Sequence, residues 1–415
     1  MRNRDDNTVG GPRGRRAAIG KATEGHRSDY NRQMERIYLD HNATTPIDPR
    51  VFDVMAAALR SGGNPSSLHS FGQAARATVE DARRDVAALI GATTAEVVFT
   101  GSGTEADNMA VLGLAGMAPP SRPKVVISAI EHHAVVAAAK VLGDSGIEVD
   151  TARVSQEGGV DLADLRARVD ERTALVAVML ANNETGVVQP IADVVEIARK
   201  KGALVHCDGV QAAGKIAVDV GALGVDTLAL SAHKLYGPQG VGALYVKRGT
   251  RMKALLHGGS QERNRRAGTE NVAGIAGLGS AARIAAEEMA AEGPRLARLR
   301  DALEARLLSL PGAARNGSGP RIPNTTNVSF EGAEAESLLM ALDLAGIAVS
   351  TGAACAAGAV SPSHVLRGMH LPARRVQGSL RFSLGHATND AAIARTAEVM
   401  AEVLERHREV AHSRR

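Results

Sequence analysis

Six short apolar runs punctuate the first two thirds of the chain: Val97 to Thr100, Val125 to Ile130, Ala174 to Leu180, Ala203 to Asp208, Val225 to Leu230 and Val241 to Val246. Stretches with helical spacing separate them. Continuous apolar runs of this length read as strands buried on both faces, and their alternation with helices predicts an α/β fold with a mostly parallel sheet covered by helices. A large domain is expected over residues 50–289. In such a sheet the loops at the carboxyl ends of the strands form the ligand site. Phe71 to Ile90 and Val272 to Met289 read as long, Ala-rich helices with charges on one side. After Glu292-Gly293-Pro294 the pattern changes. A helix from about Arg295 to Leu310, Pro- and Asn-rich turns, strands over Thr326 to Phe330 and Leu380 to Leu384, and a further helix between them predict a smaller α+β lobe. With the segment before Val51 it is expected to comprise residues 34–49 and 290–415.

Composition narrows the function classes. The chain has 415 residues, 44% of them hydrophobic, enough for a large core. No run approaches the roughly 20 uncharged residues of a membrane helix, and the start is polar, so no membrane partner and a cytoplasmic location are expected. Residues 1–33 carry eight Lys/Arg against four Asp/Glu, leaving 41 of each sign in the rest. They read as a disordered basic leader, with patterned sequence beginning at Met34. An electrically balanced body with 2% aromatics and no tryptophan argues against base-stacking platforms, and no nucleic-acid partner is expected. Two cysteines, Cys207 and Cys355, are too few for a disulfide framework and read as free thiols.

The candidate chemistry centres on Lys234. It lies in Ser231-Ala232-His233-Lys234-Leu235-Tyr236-Gly237-Pro238, directly after an apolar run. Burial and nearby cations lower an amine's pKa, the condition for condensing with an aldehyde such as pyridoxal phosphate. Three other strand ends supply groups that suit one anionic aromatic cofactor. Thr100-Gly101-Ser102-Gly103-Thr104-Glu105 offers backbone N–H groups at a helix start for a phosphate. His206-Cys207-Asp208 closes a buried strand with an acid that a pyridinium nitrogen would satisfy, and Gln211 lies three residues on. Ile130-Glu131-His132-His133 offers an imidazole that stacks on a ring or handles protons. Adjacent histidines also bring metal to mind, but on a helix they point about 100° apart and no Cys or Glu repeats at ligand spacing, so no resident metal is expected. Cys355 stands in Ser350-Thr351-Gly352-Ala353-Ala354-Cys355-Ala356-Ala357-Gly358-Ala359, a run with little packing capacity that predicts an exposed loop able to carry a thiol to a substrate. Cys207, in an apolar strand, reads as core. Arg381, a charge inside the strand pattern Ser379-Leu380-Arg381-Phe382-Ser383, reads as a carboxylate grip.

Together with Tyr38-Leu39-Asp40-His41-Asn42-Ala43-Thr44-Thr45-Pro46, these segments closely resemble the cysteine desulfurases of the NifS/IscS type, within the class V aminotransferase group of pyridoxal phosphate enzymes. The resemblance runs to about Leu384. It implies pyridoxal phosphate fold type I, with a seven-stranded type of sheet sandwiched by helices. It also implies Lys234 as the Schiff-base lysine, Asp208 on the pyridine nitrogen, His132 on the ring, and Asn183 and Gln211 near its hydroxyl. Phosphate contacts are implied for Gly103, Thr104, Ser231 and His233. Thr269, in Arg266-Ala267-Gly268-Thr269-Glu270, is implied to serve a neighbouring subunit's phosphate, hence a homodimer. Arg381 matches the substrate-carboxylate clamp, with Asn42 beside it, and Cys355 matches the sulfur-accepting cysteine and a transient cluster ligand. The implied activity converts L-cysteine to alanine and passes sulfur, as a persulfide, to an acceptor protein such as an iron–sulfur scaffold. A selenocysteine lyase or small-acid aminotransferase on the same scaffold is the neighbouring alternative. A non-catalytic sulfur-relay or scaffold protein is the alternative of another class.

Overall fold

In the computed structural model the strand-forming runs assemble into one seven-stranded sheet. Residues 36–352, 355–356, 359–360 and 362–413 are described. The expected leader over 1–33 and part of the small-residue run around Cys355 lie outside them. Across the sheet the order is Val97–Thr100, Gly242–Val246, Thr227–Ser231, Leu204–Asp208, Thr173–Ala177, Lys124–Ser128 and Glu148–Ala152. Gly242–Val246 runs antiparallel to both neighbours and every other pairing is parallel. The five strands from Val97–Thr100 inward to Lys124–Ser128, together with Gly242–Val246, are buried at every position or nearly so, as their unbroken apolar composition requires. The seventh, Glu148–Ala152, was not foreseen. It is the edge strand, and its Glu-Val-Asp-Thr-Ala sequence lacks an apolar run because most of it meets solvent.

The helices that cover this sheet begin where the strand ends leave off. Gly103–Ala115 follows Val97–Thr100, and His133–Asp144 follows Lys124–Ser128. Val111, Leu114, Val135 and Leu142 from the two helices meet Val125, Ile127 and Leu175 of the sheet in one apolar cluster. The helix expected over Phe71 to Ile90 spans Ser70–Leu89.

Val272 to Leu308 forms one helix of 37 residues that passes through Pro294, where the sequence pattern predicted a break. A proline inside a helix loses one hydrogen bond and crowds the preceding turn, at about 3 kcal/mol. Gly293 before it removes the Cβ that would otherwise clash with the proline ring. Ile275, Leu278 and Ile284 are buried on one side of Pro294, and Leu296, Leu299, Leu303 and Leu307 on the other. Burial of one such side chain contributes roughly 1.5–3 kcal/mol, so four leucines beyond the proline outweigh its cost.

Those leucines belong to a second apolar cluster with Leu39, Val328, Phe330, Leu338, Leu380, Phe382 and Met400. A three-stranded antiparallel sheet runs through it, in the order Ser379–Ser383, Thr325–Phe330, Ala313–Arg315. Its register sets Asn327 opposite Arg381. The backbone of Cys355–Ala356 pairs antiparallel with Ala359–Val360.

Candidate functional site

The parallel strands point their carboxyl ends to one edge, and the residues that follow them line a single cavity of about 420 Å³. Chain leaving Thr100 turns through Gly101 into the helix Gly103–Ala115, which Ser102 caps by accepting the Glu105 N–H at 3.1 Å. A Cβ on Gly103 would stand 2.9 Å from Val210 Cγ2 and 3.2 Å from Ser231 Cβ, so glycine alone lets the helix start sit this close to its neighbours. The first N–H groups of a helix lack intrahelical acceptors, and with the helix dipole they form a ready anion cradle. Thr104, Ser231 and His233 line the cavity beside them. His233 is fixed through Nδ1 at 3.1 Å from Thr44 Oγ1.

Lys234 ends the short 3-10 turn after Thr227–Ser231, and its Nζ donates to the carbonyls of Asn42 and Ala43, each at 2.5 Å. Burial, and after it the nearby Arg381, lowers its pKa to about 8. An amine in that range has a neutral, nucleophilic fraction near physiological pH far larger than an ordinary lysine's. Asp208 ends Leu204–Asp208, is 5% exposed and accepts the Val210 N–H at 2.9 Å. Burial pushes its pKa up, while His132 and Lys234 oppose that push. His132 caps the helix His133–Asp144 by accepting the Ala134 N–H at Nδ1, 3.2 Å away. Burial, foremost, keeps its imidazole below the ordinary pKa. A neutral imidazole that accepts at Nδ1 carries its proton on Nε2.

Ligand atoms of Asp107, His132 and Asp208 all lie within 4.8 Å of one another. Asp107 is held by His206, whose Nε2 is 3.1 Å away, and burial followed by Asp208 drives the Asp107 pKa well up. Two carboxyl groups in a dry floor call for a proton or a cationic N–H between them and the cavity. A pyridinium N–H meets that demand, and a phosphate meets the helix start a few residues away. The donor set therefore fits pyridoxal phosphate.

From the second sheet comes Arg381, 4% exposed. Its Nη1 donates to Asn183 O at 3.0 Å and its Nη2 to Asp40 Oδ1 at 2.7 Å, and Nε is buried without a partner. Asn42 is more fully committed. Its Nδ2 donates to Thr325 Oγ1 at 2.8 Å and Asn183 O at 3.1 Å, and its Oδ1 accepts from Asn324 Nδ2 at 3.2 Å. Both amide hydrogens are thus spent inside the protein, which leaves Arg381 as the group with donors to spare.

Asn42, Gly103, Thr104, His132, Asn183, Asp208, Gln211, Ser231, His233, Lys234 and Arg381 share this one cavity, but Thr269 does not. Thr269 lines a separate cavity of about 150 Å³ with Glu262 and Arg266. The segment leading to it carries three consecutive residues of positive φ, Glu262, Arg263 and Asn264. The buried Glu262 holds that strained turn by accepting from both Arg83 nitrogens, at 2.8 and 2.9 Å, and from Phe99 N at 2.9 Å. The Cys355 side chain lies outside the described residues, and Gly352, three positions before it, lines the main cavity. Cys207 is a buried free thiol whose pKa burial raises.

Several ionisable residues near the site escaped the sequence reading, Asp107 and His364 of the cavity lining among them. Glu184, 1% exposed, lines the cavity and accepts from Ser363 Oγ at 2.6 Å. Lys215 donates to Gln211 Oε1 at 2.7 Å and to Asn42 Oδ1 at 3.3 Å. Its spacing of four from Gln211 was the available signal, since such pairs meet on one face of a helical turn.

Comparison with known proteins agrees with this geometry. Residues 37–395 match the aminotransferase class-V family. A cysteine desulfurase of Nostoc sp. is 46% identical over 378 residues, which is 90% of this chain and 94% of that protein. The cysteine desulfurase IscS of Dictyoglomus turgidum is 43% identical over 381 residues, 90% of this chain and 96% of its own. A solved NifS-like protein superposes with a TM-score of 0.85 at 37% identity, covering 89% of this chain and all of that one. The chain belongs to the class-V aminotransferase family, a family of pyridoxal phosphate enzymes.

Proposed function

We propose that the protein is a pyridoxal phosphate-dependent cysteine desulfurase, which converts L-cysteine to L-alanine and retains the sulfur as a persulfide for iron–sulfur cluster or other thio-cofactor assembly. The observation that carries this reading is the meeting, in one cavity, of an amine held near pKa 8, a buried acid and an arginine with a free buried donor. When bound, pyridoxal phosphate supplies an aldehyde that condenses with amines and a ring that holds the electron pair left by a removed α-proton.

The chain's own residues then divide the work. The N–H groups of Gly103 and Thr104, with Ser231 and His233, hold the phosphate, and Thr269 contributes across a homodimer to the partner's. Asp208 keeps the ring nitrogen protonated. His132, with its proton on Nε2, would hold the ring, and Asn183 and Gln211 would meet its hydroxyl. Arg381 grips the substrate carboxylate, turning donors toward it from its present partners Asp40 and Asn183. The Lys234 amine would hold the cofactor aldehyde and, within the same cavity as the substrate, remove its α-proton and return it. The Cys355 thiolate attacks the substrate sulfur: an S–S bond forms, the carbon–sulfur bond breaks, and the carbon keeps the electron pair and takes up a proton. Sulfur is oxidised to the persulfide level as carbon is reduced to the methyl of alanine, so no outside electron carrier is needed. An acceptor protein removes the persulfide sulfur.

Borohydride treatment of the cofactor-loaded protein is expected to fix a pyridoxyl group on Lys234, and incubation with cysteine to release alanine and add one sulfur to Cys355 by mass spectrometry. Absence of both the adduct and the alanine would overturn the reading. Among the described residues no helix is long and apolar enough to cross a membrane.

A further inference from the structure

Lys215 is an ionisable group bonded to two residues of the cavity wall, Gln211 and Asn42, and the reaction above gives it no task. Its Nζ lies 2.7 Å from Gln211 Oε1 and 3.3 Å from Asn42 Oδ1, and Asn324 Nδ2 reaches the same Asn42 oxygen at 3.2 Å. The backbone carbonyls of Asn42 and Asn183 can only accept, so the Gln211 and Asn42 amides point their nitrogens at them and their oxygens at the Lys215 amine, which donates to both. That constraint settles the polarity of the two amides. Gln211, with its oxygen on Lys215, sends one hydrogen of Nε2 to Asn42 O at 2.9 Å, the same carbonyl that holds the Lys234 amine at 2.5 Å. No second acceptor for the Gln211 amide exists among the described residues, and Gln211 lines the cavity. Its remaining hydrogen is therefore available to a ligand.

We propose that Lys215 is a positioning residue: by drawing the oxygens of Gln211 and Asn42 to itself it fixes an N–H donor at the cavity wall, committing that point to an anionic oxygen on the cofactor ring. The inference rests on the cofactor reading above. It makes the preference for an ionised ring hydroxyl a property of a lysine that touches neither cofactor nor substrate.

Burial foremost, and after it Lys234 and Arg381, hold the Lys215 pKa well below its ordinary value, so its grip on the two amides rests on its N–H donors. His41 and His233 are its other titratable neighbours. Lys215 also lines a second cavity of about 40 Å³ with Asp48, Glu288, Glu292 and His386. Removing Lys215 takes a donor from both amides.

The test uses the purified cofactor-loaded protein and its K215M, K215Q and K215R variants. Three quantities are read: pyridoxal phosphate affinity, the midpoint of the absorbance change of the bound cofactor with pH, and the response to a pyridoxal phosphate analogue lacking the ring hydroxyl. K215M is expected to weaken affinity about tenfold, the scale of one hydrogen bond to a charged group, and to move the absorbance midpoint upward. K215R, which keeps N–H donors, restores both in part. In the parent the analogue binds more weakly than the natural cofactor, whereas in K215M the gap narrows, Asn183 alone still meeting the ring hydroxyl. If K215M is too unstable to assay, K215Q carries the same expectation for the analogue. Parent-like affinity, midpoint and analogue discrimination in K215M or K215Q would overturn the proposal. Failure of the cofactor reading looks different, since the parent itself would then bind no pyridoxal phosphate.

Discussion

The lysine end and the cysteine end of the site are built on opposite principles. Lys234 stands at the end of a strand buried at every position, between carbonyls of Asn42 and Ala43 that other parts of the fold hold in place. Cys355 sits in a hairpin of two residue pairs, among alanines and glycines that bury little. On one flank of this run Ser363 donates to Glu184, and on the other a Cβ at Gly352 would stand 2.8 Å from Glu184 Oε2. Proton transfer at carbon depends on atoms held in fixed relation, which strand ends supply. Under the proposed function sulfur must instead be collected from a substrate and passed on, a task that suits a thiol carried in a run of small residues.

Substitutions at the two ends should separate these tasks. Lys234→Ala is expected to lower alanine release by at least about 10³-fold, the scale for loss of a positioned acid–base and covalent group, and to abolish borohydride trapping. Cys355→Ser is expected to leave the cofactor absorbance and trapping intact while persulfide on the enzyme and sulfur delivery to acceptors vanish. Equal loss of cofactor trapping in both variants would erase the distinction. A smaller effect concerns pH. Burial lowers the Lys234 pKa to about 8, so the neutral amine grows as pH rises through that value and saturates above it. The rate at which apoprotein takes up pyridoxal phosphate should therefore rise about tenfold per unit below this range and level off above it. A flat profile between pH 6 and 9 would contradict the burial argument. The smallest change is expected from Gly352→Ala. At φ +80° a side chain is strained, and here it also meets Glu184, so denaturant unfolding should show a loss of about 1–2 kcal/mol. Cofactor absorbance should be unchanged.

The chain's own pattern made much of this legible. Six strands and the residues just after them were readable because burial on both faces of a parallel sheet demands continuous apolar runs, and because catalytic groups at strand ends interrupt those runs conspicuously. Lys234, Asp208 and His132 stand out for that reason. Glu148–Ala152 did not, since an edge strand need not be apolar, and the join across Pro294 was hidden because its compensation lies in leucines packed against a distant sheet.

Sequence alone thus determined the layered architecture, the position of the candidate amine and the resemblance that names the cofactor, all properties carried by local composition and spacing. Tertiary structure decided the rest. Asn42 takes its partners from Asn183, Lys215, Asn324 and Thr325, and Glu184 takes its partner from Ser363. Hydrogen bonds have direction and reach of about 3 Å, and which donor finds which acceptor across hundreds of residues is fixed only when the chain has folded.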